Sequence, residues 1–241
     1  MKEFWVDNEG VKIHVLDSID ESDEQFVPLL ICPGLSEHAD EYRTLIEDLL
    51  PRRSIVISFR GRGKSDTPEA GYSLQHHLSD ISSVVDKLNL QSYYLLGYSR
   101  GVSYAIGHVL DAKQSVKGLI LEEYPAEHKR MSPEWAEDYI NGYLTPTGRI
   151  IQMRAVAVHG IQRESVQYDF WDELGKVAMP VLLMRGMLEG SLLTDEDEDR
   201  YRNNVKNLST FHFHVSEHDV WRSEYALFVQ KLKEFMSGGS F

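Results

Sequence analysis

The sequence predicts an α/β fold: a mostly parallel sheet flanked by helices. Three observations predict it. Short apolar runs alternate along the chain with segments whose apolar residues recur at helical spacing. Runs such as residues 27–31 are apolar throughout, as strands covered on both faces must be. One serine, Ser99, stands between two glycines where such a run gives way to a helical pattern.

The elements follow in order. Residues 4–6 and 11–16 flank Asp7-Asn8-Glu9-Gly10, the pattern of an opening hairpin. Residues 27–31 read as a strand and 40–50 as a helix, with Tyr42, Leu45, Ile46 and Leu49 on one side and Pro51 closing it. A strand at 54–59 leads into the glycine-rich loop Arg60-Gly61-Arg62-Gly63-Lys64-Ser65. Leu78, Ile81, Val84, Val85 and Leu88 mark the next helix. Residues 93–96 form a strand, and Val102, Ala105, Ile106 and Val109 mark the helix after it. Strands at 116–121, 180–184 and 211–215 follow, then a last amphipathic helix carrying Tyr225, Phe228, Val229, Leu232 and Phe235. Residues 237–240 are a glycine-serine tail expected to fray.

The connection before the last-but-one strand is far longer than usual. Its scattered aromatic, isoleucine and methionine residues predict three or four short helices capping the strand ends. The expected organisation is therefore a core of residues 1–126 and 177–241 with a helical cap at 127–176.

Bulk properties narrow the function. At 241 residues the chain fits one domain of ordinary size. A net charge of −13 argues against a nucleic-acid partner, because phosphates would be repelled. No apolar run approaches the length of a membrane span, so no membrane association is expected. Met1-Lys2-Glu3-Phe4 lacks signal-peptide character, and the single cysteine, Cys32, has no internal partner for a disulfide; both point to the cytoplasm. The block Asp195-Glu196-Asp197-Glu198-Asp199 reads as a solvated helix start.

Gly97-Tyr98-Ser99-Arg100-Gly101 is the pattern that carries chemistry. A serine hydroxyl is a poor nucleophile until a sharp strand-to-helix turn presents it beside a base, and such a turn leaves no room for side chains two residues away. The base must follow the last strand, which selects His218 among ten histidines. His212 and His214 alternate within that strand and read as structural, and His38 is the one rival. The acid is expected after the strand at 180–184, where Glu189 is the carboxylate before the next helix; Glu122 and Glu123 are the fallback. The oxyanion donors are expected from the backbone N–H groups of Leu35, in Cys32-Pro33-Gly34-Leu35, and of Arg100. The Arg100 side chain is expected to bond into the protein rather than to substrate. No histidine has the neighbours of a metal site, and neither metal nor cofactor is expected.

On these residues, together with Arg60–Ser65 and Met184-Arg185-Gly186, the chain resembles the α/β-hydrolases, specifically the small capped esterases, lactonases and related lyases. It departs from their usual pattern where Pro33 replaces a histidine, Glu189 an aspartate and Glu217 a glycine. The resemblance implies a serine hydrolase acting through an acyl-enzyme on a small ester or lactone, and makes Arg60–Ser65 a structural turn. A C–C hydrolase or lyase with the same triad is the alternative, and a non-catalytic ligand sensor the third.

Overall fold

The computed structural model describes residues 1–111 and 115–238; of the tail expected to fray, residues 239 and 240 lie outside them. Eight strands form one sheet: β1 (Lys2–Asn8), β2 (Val11–Asp17), β3 (Leu29–Cys32), β4 (Ser54–Ser58), β5 (Ser92–Tyr98), β6 (Ser115–Glu122), β7 (Val181–Gly186) and β8 (Leu208–Phe213). Their spatial order is β1-β2-β4-β3-β5-β6-β7-β8. β2 runs antiparallel to both neighbours, and every pair from β4 onward is parallel.

Parallel strands must be covered on both faces, and the side chains alternate accordingly. Leu30, Leu95, Leu119 and Leu183 pack on one face with apolar residues of α2 (Leu74–Lys87) and α3 (Arg100–Asp111). Ile31, Leu96, Ile120 and Leu182 pack on the other with α1 (Arg43–Asp48) and the C-terminal helix Tyr225–Met236.

Two expectations shift. The helix expected over 40–50 is a tight turn, Ala39–Tyr42, followed by the short α1. The last strand was expected at 211–215 but pairs with β7 only from Leu208↔Val181 to Phe213↔Gly186, so it ends there. His214 consequently lies beyond the strand and is exposed, whereas His212 is bonded to Glu198 at 2.9 Å.

Between β6 and β7 the chain forms α4 (Trp135–Tyr139), a wide turn Ile140–Leu144, a turn Arg149–Ile151, α5 (Ala155–Glu164) and a turn Trp171–Lys176. Leu144, Met153, Ala157 and Ile161 make a small core of their own with Tyr72. Phe170, Trp171 and Leu174 instead join the α2 and α3 side of the main core. The last residues of the expected cap therefore pack into the main core.

The glycine-rich loop anchors this segment. Gly63 N–H donates to Gln152 O at 2.7 Å, and Arg154 donates to Gly63 O and Thr67. The loop's arginines turn inward, Arg60 onto Asp80 at 2.6 and 2.9 Å and Arg62 onto Leu35 O at 2.9 Å, the behaviour of a structural turn. The acidic block opens α6 (Asp195–Asn204), capped by Thr194, whose hydroxyl accepts from Asp197 N–H. No helix among the described residues is long and apolar enough to cross a membrane.

Candidate active site

Ser99 lies between β5 and α3 with φ +52°, in the left-handed region that residues with a Cβ avoid. The strain is held from both sides. Ser99 N–H donates to Glu122 O at 2.9 Å, and Val102 N–H donates to Ser99 O at 2.8 Å. The flanking glycines allow the close approach this demands. A Cβ on Gly101 would stand 2.2 Å from Cys32 O, and one on Gly97 2.6 Å from Gly101 O.

His218 follows β8, and its Nε2 is 3.0 Å from Ser99 Oγ. The Tyr98 ring stacks on the imidazole with centroids 5.1 Å apart. The end of β7 reaches this loop so closely that a Cβ on Gly186 would lie 1.9 Å from Glu217 O. His38 is not bonded to Ser99; it faces Asp40 and Glu41 at 3.9 and 3.7 Å.

The carboxylate beside the imidazole is Glu123, not Glu189. Glu123 Oε2 is 3.4 Å from His218 Nδ1. Glu123 directly follows β6, at φ +57°, and is fully buried. Its charge is met by Gly186 N–H at 2.6 Å and the Ser191 hydroxyl at 2.9 Å on Oε1, and by Leu192 N–H at 3.0 Å on Oε2. Three donors on a buried carboxylate offset much of its desolvation. The loop after β7 thus supplies donors rather than the acid. Its turn, closed by Ser191 N–H on Leu188 O, leaves Glu189 exposed, and no hydrogen bond or ion pair joins Glu189 to His218. One sequence signal bore on this position: the carboxylate pair Glu122-Glu123 directly follows an apolar run, which made it the fallback without choosing between the two.

Glu122 points elsewhere. It accepts from Trp221 N–H at 3.2 Å, and burial, with Glu37 nearby, raises its carboxyl well above the usual range. Glu37 is likewise raised by burial, against the pull of Arg222. Glu37 holds Gly34 N–H at 3.1 Å and Arg222 at 2.6 Å, fixing the turn that carries Leu35. Among the described residues the backbone N–H groups of Leu35 and Arg100 have no internal acceptor. Both residues line the same cavity as Ser99 and His218, which measures about 690 Å³. Trp135, Tyr139 and Tyr143 line it too, stacked in a row with centroids 5.2 Å apart.

The Arg100 side chain bonds into the protein, donating to Tyr104 OH at 3.2 Å, Lys129 O at 3.2 Å and His128 Nε2 at 3.0 Å. Cys32 is buried, and burial raises its thiol far above the ordinary value. Among the described residues no group of three or more His, Cys, Asp or Glu could hold a metal ion.

The comparisons with known proteins agree with this architecture. An esterase from Exiguobacterium antarcticum superposes with a TM-score of 0.81 at 21% identity, covering 98% of this chain and 100% of its own. An esterase from Rhodococcus sp. superposes with a TM-score of 0.80 at 17% identity, covering 99% of each chain. At such identities the likeness establishes the fold alone. Over 118 residues the chain is 30% identical to a Bacillus subtilis protein named as a 2-succinyl-6-hydroxy-2,4-cyclohexadiene-1-carboxylate synthase, 48% of this chain and 42% of that protein. Over 99 residues it is 30% identical to the N-formylmaleamate deformylase of Pseudomonas putida, 40% of this chain and 37% of that protein. The chain thus matches less than half the length of either relative. The family model for the alpha/beta hydrolase fold matches residues 27–192, and the chain belongs to that family.

Proposed function

We propose that the protein is a serine hydrolase of small carboxylic esters or lactones, working through an acyl-enzyme with Ser99, His218 and Glu123 as its triad. The hydrogen-bonded chain from Ser99 Oγ through His218 to Glu123, at one wall of the cavity, carries this reading. His218 Nε2 accepts the Ser99 proton as Oγ attacks the carbonyl carbon. Charge passes to the carbonyl oxygen, which Leu35 and Arg100 N–H groups receive. Collapse breaks the ester C–O bond, and the leaving alkoxide takes the proton from His218. Water, deprotonated by His218, then frees the acid and restores Ser99. Glu123 holds Nδ1–H throughout and offsets the imidazolium charge. The segment between β6 and β7 covers the acyl group, and no cofactor takes part.

A fluorophosphonate probe with mass mapping tests this. Labelling is expected at Ser99 and should be lost in His218→Ala. Turnover of p-nitrophenyl esters should fall at least about ten-thousand-fold in Ser99→Ala. A folded protein that neither labels nor turns over esters is a binding protein, and one that cleaves β-diketones in preference to esters is a C–C hydrolase.

A further inference from the structure

The chain carries a net charge of −13, yet five residues that bear cationic side chains, and only two that bear carboxylates, line its cavity. The two carboxylates, Glu37 and Asp219, share Arg222, at 2.6 and 3.0 Å. Arg149 is paired with Glu41 at 2.7 Å. Arg100, Lys129 and Arg130 remain, and among the described residues no carboxylate lies within ion-pair distance of any of them. The three stand together in the lining, where Arg100 donates to Lys129 O and Arg130 is the next residue. Lys129 and Arg130 are exposed whereas Ser99 is 9% exposed, so their side chains stand outward of the nucleophile. Among the described residues the one partner of Lys129 Nζ is the Tyr124 ring, 5.4 Å away.

The ground beneath this wall is positive as well. Among the described residues Arg62, 1% exposed, also has no carboxylate within ion-pair distance, and its Nη2 makes no hydrogen bond. Its Nη1 is 3.0 Å from His77 Nε2, His77 stacks on Tyr104, and Tyr104 OH accepts from Arg100. The two imidazoles bonded to these guanidiniums, His77 and His128, are held neutral by burial. Neutral partners satisfy donors but cancel no charge. Two buried, unneutralised guanidiniums cost stability, and a bound anion nearby recovers part of that cost.

We infer that the substrate carries a carboxylate, or an anion of like size, at the end remote from its scissile bond, held by Lys129 and Arg130 on a wall kept positive by Arg100 and Arg62. The inference names the substrate class of the site proposed above and rests on the cavity being the substrate's.

Two measurements test it. Calorimetric titration compares glutarate with the neutral glutaramide; glutarate should bind at least tenfold tighter to the wild type, and Lys129→Gln/Arg130→Gln should remove that advantage. Turnover then compares p-nitrophenyl hydrogen glutarate and adipate with neutral esters of matched length. The acidic esters should show at least tenfold higher kcat/KM, an advantage that shrinks in 0.5 M salt and falls at least tenfold in the double variant. Equal binding of glutarate and glutaramide, or a preference that survives the double substitution, overturns the inference. Tight glutarate binding without ester turnover or Ser99 phosphonylation would support it while sinking the hydrolase reading.

Discussion

Glu123 is held by three donors besides His218, so removing its charge and removing its side chain are different experiments. Glu123→Gln keeps the volume but presents an amide where Nδ1–H needs an acceptor. We expect kcat to fall on the order of 10³-fold with the fold intact by circular dichroism. Glu189→Gln, at an exposed turn, should leave kcat within about twofold. Equal losses in the two variants would contradict the assignment. The serine and the histidine were legible because each is fixed by local pattern: two close-packed glycines around Ser99, and a place after the last strand for His218. The acid was not, because its identity depends on which neighbouring strand end bends toward the imidazole. That choice is made by backbone N–H groups of residues 186 and 192, and donors of that kind leave no mark in side-chain chemistry.

The elements were legible wherever strands are buried on both faces, since an apolar run has few other homes. Their ends were less so. β8 stops at Phe213 because its partner β7 stops at Gly186, a fact of register that no run of residues announces. The packing of Phe170, Trp171 and Leu174 into the main core was hidden for the same reason. The strand-turn-helix around Ser99 offers the sharpest test at this scale. A methyl at Gly101 meets the Cys32 carbonyl, a backbone atom that cannot swing aside. Gly101→Ala should therefore destabilise the protein by about 3 kcal/mol in urea titrations. Gly142→Ala, where a Cβ meets nothing within 4 Å, serves as the control and should shift stability far less.

Across the whole molecule, the buried imidazoles make stability fall in acid. His77, His108 and His128 lie inside with hydrogen-bond partners and, among the described residues, no carboxylate within ion-pair distance. Burial lowers all three below the ordinary value of 6.5: His108 to about 4, His128 to about 2, with Arg100 adding to the effect, and His77 well below, with Arg62 adding to it. A depressed folded value means the unfolded chain binds the proton more readily. The contribution is therefore complete above pH 6.5 and is lost as pH falls toward 4 for His108, and toward 2 for His128. At pH 5 His108 alone accounts for about 2 kcal/mol. His108 Nε2 takes the Tyr93 hydroxyl at 2.6 Å, and a glutamine carbonyl can accept the same bond without titrating. The loss of unfolding free energy between pH 7.5 and pH 5 should thus be about 2 kcal/mol smaller in His108→Gln than in the wild type, whatever the substitution does at neutral pH. Parallel curves for the two proteins would show that the imidazole at 108 is not held neutral by its surroundings. The same comparison with His214→Gln, at an exposed position, serves as the control and should show no such difference.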